Sequence, residues 1–384
     1  MFHKYRFLKI LAVVLLLLAN SVFAQEKYKF TDIKKLDATS VKNQGMSGTC
    51  WCFATCAMLE SEMLRKGLES LDFSEMYIVR CAYIEKAILY VRMHGKSNFG
   101  QGGEAHDVTN IMRKYGMVPK SAYSGSKDDN TMYDHDKMEI ELRSYLDTLI
   151  KKTGESKLPD NWLKDYEKIL NNNMGKVPTK FEVDGKKYTP LSYVKDYLKI
   201  DLDDYIEFTS FTHHPYYTKF FLEIPDNWSF DLYNNIKMDE LTELIDSSIA
   251  RGYTVGWGGD VSEPEFQSKE GVAIVPEHDW EHKSEEERKR TCKIHENEMN
   301  VTPAIRQQEF DNWLTTDDHF MQITGVAKDQ YGDKFYLVKN SWGTSRGYEG
   351  YLYMSEAYAK LKLTTLMLNK NAVPKKILEE NGIK

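Results

Sequence analysis

Hydrophobic positions recur at helical spacing through the first third of the chain. From Trp51 to Leu64, and again from Glu75 to His94, apolar residues return every three or four positions. This spacing predicts two helices, and Gly67 is placed to end the first one. A third helix is predicted from Glu104 to Tyr115, where Gly116 stops it.

The last third of the chain favours strands instead. Short apolar or alternating runs there predict five strands, at Tyr253 to Trp257, Ala273 to Val275, Met321 to Ala327, Lys334 to Asn340 and Gly350 to Met354. Because the helices come first and the strands last, the predicted fold class is α+β.

A polar, lysine-rich stretch over residues 124–230 lies between these two regions. It carries helical patterns near Met138 to Lys151 and near Asn161 to Asn172. No repeat and no long low-complexity tract is visible in it. We interpret it as a large, mainly helical insertion between a helical left domain over 25–123 and a strand-rich right domain over 231–384.

The first 24 residues have the pattern of a secretory signal peptide. Basic residues, among them Lys4 and Arg6, precede an apolar run from Ile10 to Leu18, and small residues surround Ala24. A membrane anchor is the alternative, but the apolar stretch is shorter than the roughly 20 residues that span a bilayer. We therefore expect cleavage near Ala24, a secreted or periplasmic protein, and no membrane contact after cleavage.

Composition and charge exclude several classes. The 384 residues are 41% hydrophobic and 12% aromatic, which is typical of a folded chain with a large core and not of a disordered one. The net charge of −7 disfavours a nucleic-acid partner. Five cysteines are too few for a disulfide scaffold, although the pairing of Cys81 with Cys292 stays open.

A metal site has little support in the sequence. The candidate ligands share one charged region but match no structural zinc spacing; they are His278, His282, Cys292 and His295. We predict no metal and no cofactor.

A cysteine lies where the first predicted helix begins, directly after a glycine turn. In the segment Gln44 to Trp51, unpaired backbone N–H groups and the helix dipole would act on Cys50 and stabilise its thiolate. The thiol pKa is therefore expected well below the roughly 8.5 of a free cysteine. The Gln44 side chain and the Cys50 N–H could together bind an oxyanion. A small buried hydrophobic residue is the alternative interpretation of Cys50.

A histidine and an asparagine lie at the ends of two neighbouring predicted strands. His319 opens one strand, and Asn340 to Gly343 closes the next. Adjacent strands can place the imidazole beside the carboxamide, so that the Asn340 oxygen holds the ring while its other nitrogen pairs with a thiol. Trp342 would shield that hydrogen bond from water.

Together these segments resemble the papain-like cysteine peptidases. The resemblance implies a two-domain papain-like α+β fold and the cleavage of peptide substrates through a thioester. It makes Cys50 the nucleophile, His319 the acid and base, Asn340 the residue that orients the ring, and Gln44 the oxyanion donor.

The same resemblance implies a set of substrate contacts. The segment Phe99 to Gly103 resembles the glycine pair that lines the family's cleft and binds the substrate backbone. The predicted substrate-binding residues are therefore the glycine pair and two neighbours of the catalytic residues, namely Gly102, Gly103, Trp342 and Asp318.

The spacing of nucleophile and base is similar to the bleomycin hydrolase and aminopeptidase C branch. His319 follows Cys50 by 269 positions, against roughly 130 to 150 in the lysosomal type. Three further stretches resemble that branch: Gly102 to Tyr123 with its segment Lys114 to Lys120, Asp231 to Asn235, and Thr254 to Val261. The branch implies aminopeptidase action and leaves a homo-oligomer open.

The end of the chain departs from that branch. There, an arm continues past a Val-Pro segment and its terminal carboxylate receives the substrate's amino group, whereas here ten residues follow Val373-Pro374. We favour an aminopeptidase whose insertion blocks the cleft and supplies its own carboxylate. An endopeptidase with an open cleft is the main alternative, and a peptide-binding pseudoenzyme and an acyltransferase are two others.

Overall fold

The computed structural model describes residues 27–68, 71–126, 132–154 and 156–383. The predicted signal peptide and its cleavage point thus lie outside the described residues. Within those ranges, no helix has both the length and the apolar character that crossing a membrane requires.

The helical part surrounds one long buried helix, α1 (Cys50–Arg65). The helices α2 (Glu75–Arg92) and α3 (Ala105–Tyr115) pack on it, whereas α4 (Asp136–Thr153) and α5 (Trp162–Met174) pack on α2 and on each other. These five helices confirm the predicted ones, with ends that differ by one or two residues. Leu142 and Tyr166 of the insertion share a core with Trp51, so the insertion's helices complete the left domain's core.

An 11-stranded sheet forms the other part of the described fold. Its strands are β1 (Thr31–Lys35), β4 (Tyr205–Thr209), β5 (Lys219–Phe221), β6 (Leu232–Asn235), β7 (Val255–Gly259), β8 (Phe266–Gln267), β9 (Val272–Ala273), β10 (His319–Lys328), β11 (Lys334–Lys339), β12 (Tyr351–Ser355) and β13 (Leu363–Asn369). The order is β5-β6-β4-β13-β7-β10-β11-β12-β9-β8, and β1 pairs with β10. The mixture of helices and sheet confirms the α+β class.

Further helices flank the sheet. They are α6 (Met238–Arg251), α7 (Glu285–Arg290), α8 (Pro303–Asp311), α9 (Glu356–Leu361) and α10 (Lys375–Glu380), with helical turns at Trp280–His282 and Lys370–Ala372. The helix α10 places Ile377 in the sheet's core, and Ser247 of α6 donates to the Ala372 carbonyl at 2.8 Å. The turn at residues 370–372 is therefore held against α6, and α10 packs on the sheet's core.

The second half of the insertion is more extended than the predicted, mainly helical one. A hairpin of β2 (Phe181–Val183) and β3 (Lys186–Tyr188) precedes helical turns at Pro190–Ser192, Tyr193–Leu198 and Leu202–Asp204. Then β4 pairs antiparallel with β13, with Phe208 opposite Leu366. The insertion thus joins the helical core to the sheet, and the predicted domain bounds at 123 and 230 stay predictions.

The helical part and the sheet meet where α1 packs on β10. The Gln322 amide of β10 donates to the Ala57 carbonyl at 3.2 Å and to the Ser61 hydroxyl at 2.8 Å. The ring of Phe320 also packs into the helical core, and a Cβ added at Gly258 of β7 would collide with that ring. The start of β10 is therefore held directly against the helix that begins at Cys50.

The five cysteines are all free. Cys81 lies in the helical core, whereas Cys292 lies in a separate small cluster beside the sheet. The pairing that the sequence left open is therefore absent from the structure.

Candidate active site

The nucleophile segment places Cys50 as the first residue of α1. The preceding Thr49 makes no side-chain cap, because its hydroxyl bonds the Ser47 hydroxyl at 2.6 Å. The Thr49 carbonyl accepts from the Cys52 N–H at 3.0 Å and from the Phe53 N–H at 3.2 Å, whereas the Trp51 N–H acts on the Cys50 sulfur. Such groups carry the positive end of the helix dipole.

The Gln44 side chain is buried and held from both sides. Its Nε2 donates to the Ser47 carbonyl at 2.8 Å, and its Oε1 accepts from the Ser341 hydroxyl at 2.6 Å. An amide nitrogen has two hydrogens, so one is left for a further acceptor. The Gln44 N–H also donates to the Ser341 carbonyl at 2.9 Å, which ties the turn before Cys50 to the segment that follows Asn340.

The predicted histidine and asparagine are in direct contact. His319 Nε2 lies 2.8 Å from Asn340 Oδ1 and donates to it, which leaves Nδ1 as the other ring nitrogen. The two residues meet because β10 and β11 are antiparallel neighbours with Gln322 opposite Lys339. The Trp342 ring lies over the imidazole, with centroids 4.5 Å apart. The ring is thereby fixed in one plane and screened from water.

The three predicted segments come together at the Cys50 sulfur. The backbone N–H of Phe320, the residue after His319, and that of Trp51 both act on this sulfur. The nucleophile therefore lies beside the start of β10. The structure brings Cys50, His319, Asn340 and Gln44 into one site.

The pKa shifts of Cys50 and His319 differ from the expected ones. Burial raises the pKa of the Cys50 thiol to about 12, against the opposing effect of the Phe320 and Trp51 backbone groups. Burial also lowers the pKa of His319 to about 4, although the bond to Asn340 raises it. The direction predicted for the thiol pKa is thus reversed, because loss of hydration outweighs the helix end. Both shifts favour a neutral thiol beside a neutral imidazole.

The predicted glycine segment lies against the nucleophile turn. The Gln101 side-chain oxygen accepts from the Gly48 N–H at 2.8 Å, and the Gln101 carbonyl accepts from the Trp51 indole at 3.0 Å. The Gly102 carbonyl accepts from the buried Lys86 ammonium. The side of Gly103 where a Cβ would stand is filled by the Asp107 carboxylate and the Trp51 ring. The glycine pair therefore forms one wall of the cleft beside Cys50.

The predicted substrate contact Asp318 is exposed and bonds to a different loop. Its Oδ1 accepts from the Val261 N–H at 3.0 Å. The preceding Asp317 instead accepts from the N–H of Asp226 at 2.9 Å, and Asp226 comes from the insertion. Sequence reasoning missed both residues. The acidic pair just before His319 was the one available signal, and nothing in the pattern around Asp226 pointed to the cleft.

A second buried histidine was also missed. His106 Nδ1 lies 2.7 Å from a Glu207 carboxylate oxygen, and its Nε2 lies 3.0 Å from the Ser229 hydroxyl. Burial lowers the pKa of His106, but the Glu207 charge outweighs it and raises the pKa to about 10. This pair joins α3 to β4 and to the segment that precedes β6.

Groups with the geometry of metal ligands occur away from the catalytic pair. Over the described part of the chain they are His213, His214 and Glu223; His295, Asp329 and Asp333; and Glu60, Asp72 and Glu75. None of these groups contains Cys50, His319 or Asn340. The catalytic site itself offers a thiol, an imidazole and amide donors.

Residues 14–382 match the family described as Peptidase C1-like. The chain belongs to that family. This peptidase C1-like protein is a cysteine peptidase of the bleomycin hydrolase and aminopeptidase C type, and its substrates are peptides. The resemblance seen in the sequence is confirmed.

Relatives cover most of the peptidase's length. Bleomycin hydrolase of Rattus norvegicus is 25% identical over 399 residues, which span 92% of this chain and 85% of that protein. Bleomycin hydrolase of Homo sapiens is 24% identical over 408 residues, with 94% and 87% covered. A crystal structure of PepW from Lactobacillus rhamnosis aligns with a TM-score of 0.72 at 21% identity, covering 91% of this chain and 84% of that one. The structural likeness confirms the predicted fold.

Proposed function

We propose that this peptidase is an aminopeptidase, which removes residues from the free amino end of peptides. The observation that carries the proposal is the position of Asp226. Its carboxylate lies so close to Gly102 that a Cβ added there would collide with it. In the resembled family, the glycine pair binds the part of the substrate before the cleaved bond. The insertion therefore occupies the cleft on that side.

The blocking segment, residues 225–229, is anchored to both walls of the cleft. On the helical side, Asn98 donates to the Pro225 carbonyl at 2.7 Å and the Trp228 indole donates to Asp107 at 2.8 Å. On the sheet side, Asp317 accepts from the Asp226 N–H. Two-sided anchoring makes the segment a fixed wall, so a substrate chain has little room beyond the residue at the cleaved bond.

The catalytic steps follow from the residues at the site. The neutral His319 takes the Cys50 proton as the sulfur attacks the substrate carbonyl, and it returns this proton to the leaving amine. The carbonyl oxygen becomes an oxyanion, which the Cys50 N–H and the second Gln44 amide hydrogen can bind. Water then hydrolyses the thioester with His319 as the base, which restores the thiol.

A panel of matched substrates tests the proposal. Fluorogenic amino acid amides and peptide amides would be compared with the same compounds carrying an acetylated amino group. We expect acetylation to lower kcat/KM at least tenfold, which corresponds to about 1.4 kcal/mol. Equal cleavage of blocked and free compounds would show an endopeptidase with an open cleft.

The same enzyme preparation separates the two remaining alternatives. A thiol-reactive epoxide should label Cys50, and a protein that binds peptides without turnover or labelling would be a pseudoenzyme. Product analysis with added amines would reveal an acyltransferase through amide products in place of the free acid.

We also propose that residues 1–24 direct export and are then removed. The basic start, the short apolar run and the small residues around Ala24 support this. Amino-terminal sequencing of the protein recovered from the periplasm or medium would show a start near Gln25, and light scattering of the same sample would show whether it is a homo-oligomer. An uncleaved protein retained with the membrane would contradict export.

A further inference from the structure

We infer that the Asp226 carboxylate is the binding site for the substrate's α-ammonium group. This inference rests on the proposed aminopeptidase function and assigns its specificity to one side chain. The ligand class is any peptide or amino acid amide with a free, protonated amino end. Asp317 acts as the positioning residue, because its carboxylate holds the Asp226 backbone N–H at 2.9 Å.

The carboxylate lies within reach of the reacting atoms. It packs on the bare Cα of Gly102, which belongs to the same wall as Gln101 and Trp51. Among the charged groups that act on the Cys50 sulfur, Asp226 has the largest effect. An anion placed here faces the amino group of the residue whose carbonyl the sulfur attacks.

The carboxylate also lacks a cationic partner. Across the described ranges, no lysine, arginine or histidine nitrogen lies within 4.0 Å of its oxygens. Lys86 is the cation that acts on it, but the Lys86 ammonium bonds the carbonyls of Gly100 and Gly102. The Asn98 amide is the neutral donor facing it.

The neighbouring charges are mostly negative. Asp317 and Asp107 face Asp226, and the charge of Asp226 in turn acts on Glu104. Burial, followed by the charge of Asp317, raises the pKa of Asp226 to about 7. A half-buried carboxylate among like charges is stabilised by a cation, and an ammonium group that binds there relieves this repulsion. The free amino end of a peptide is the cation that every aminopeptidase substrate carries.

A substitution of the carboxylate paired with a change in the substrate isolates this interaction. Asp226→Asn keeps the shape of the blocking segment and removes the charge. The substrates are the fluorogenic amino acid amide that the wild-type enzyme cleaves best and its des-amino analogue, in which hydrogen replaces the amino group. In the wild-type enzyme, loss of the amino group should lower kcat/KM about 10- to 100-fold, as expected for a hydrogen bond between charged groups.

The variant should show a much smaller dependence on the amino group. Asp226→Asn should lower kcat/KM on the free amide by a similar factor and leave the des-amino analogue within about twofold of wild type, since interaction energies of this kind appear only when both partners are present. Glu223→Gln is the matched control. It removes one negative charge three positions earlier, where the carboxylate bonds His213 and His214, and it should keep the wild-type ratio.

The outcomes distinguish a failure of the ammonium assignment from a failure of the proposed aminopeptidase function. If Asp226→Asn keeps the full preference for the amino group while thermal unfolding is unchanged, the ammonium assignment is overturned and the aminopeptidase proposal stands. If the wild-type enzyme cleaves acetylated and free amides equally well, the function itself is wrong. If Asp226→Asn is unstable, Asp317→Ala gives a second test, because it removes the oxygen that accepts the Asp226 N–H. A displaced Asp226 should reduce the preference for the free amide, with the chemistry on the des-amino analogue retained.

Discussion

Two buried histidines in this protein have opposite electrostatic surroundings. His319 and His106 are 5% and 6% exposed, and each has one ring nitrogen within 2.8 Å of a side-chain oxygen. The oxygen belongs to the Asn340 amide in one case and to the Glu207 carboxylate in the other. The pKa of His319 falls to about 4, and that of His106 rises to about 10. At equal burial, the charge of the partner decides whether the imidazole is a base or a cation.

The protonation state of each histidine suits the side chains that its ring contacts. A neutral imidazole beside a thiol can accept its proton, which a catalytic base must do. An imidazole that stays protonated at neutral pH cannot, but it can bind Glu207 and hold α3 against β4. We therefore expect substitutions around His319 to change the rate with little change in stability, and substitutions around His106 to change stability first.

The largest expected effect comes from removing the Cys50 thiol, whose proton His319 accepts. Cys50→Ala should lower kcat by at least about 10⁴-fold, because loss of the nucleophile in a catalytic unit removes the covalent route. The free energy of unfolding, measured by urea denaturation, should stay within about 1 kcal/mol of wild type. Substantial residual peptidase activity would contradict the assignment of Cys50.

The second test breaks the ion pair between His106 and Glu207. Glu207→Gln removes the carboxylate nearest to the buried His106 and leaves Asp231 at 3.6 Å and Asp107 at 4.0 Å from its Nε2. It should lower the free energy of unfolding by about 2 to 3 kcal/mol. The pair stabilises the fold fully below the unfolded-state pKa of 6.5, and this stabilisation is lost as the pH rises through about 10. Urea denaturation at pH 6 and pH 10 should show that pH dependence in wild type and a weaker one in the variant. A variant as stable as wild type at pH 6 would show that the pair contributes nothing.

The third test returns to the catalytic region. Gln44→Ala should lower kcat by about 10² to 10³ with little change in KM, because the amide acts on charge that develops in the transition state. Steady-state kinetics on the best free amide would measure both constants. Ser341→Ala is a useful comparison, since it removes the hydroxyl that holds the Gln44 oxygen and leaves the amide in place. A change in KM alone would rule out the oxyanion role of Gln44.

The features that were predictable from sequence are those with a local pattern. The long helices α1 to α5 follow apolar spacing, and His319 and Asn340 lie at strand ends. The helix α6 was missed although Leu241, Leu244 and Ile245 carry the same signal, because the region was interpreted as strands. Short strands such as β4 lack a pattern of their own and form by pairing with β13.

The features that were not predictable depend on contacts between distant segments. Asp226 reaches the cleft because the insertion folds back over Gly102, and His106 meets Glu207 only once α3 packs on β4. The direction of the Cys50 pKa also depends on burial, which the helix end does not reveal. Local chemistry identified the nucleophile, but the charge around it is a property of the folded cleft.

The last prediction concerns a variant in which His319 has a carboxylate partner, as His106 does. Asn340→Asp keeps the size of the side chain and places a carboxylate where His106 has one, so the pKa of His319 should rise. Because the neutral ring is the base, the pH below which kcat/KM declines should move upward by about 1 pH unit or more. The measurement is the profile of kcat/KM from pH 4 to 9 on an amide lacking the amino group, so that titration of the substrate and of its Asp226 contact does not contribute. Asn340→Ala removes the acceptor without adding charge. It should lower activity without raising the pH below which kcat/KM declines. If kcat/KM of Asn340→Asp declines at the same acidic pH as in wild type, the charge of the side chain at position 340 does not set the protonation state of His319. The comparison of the two histidines would then fail.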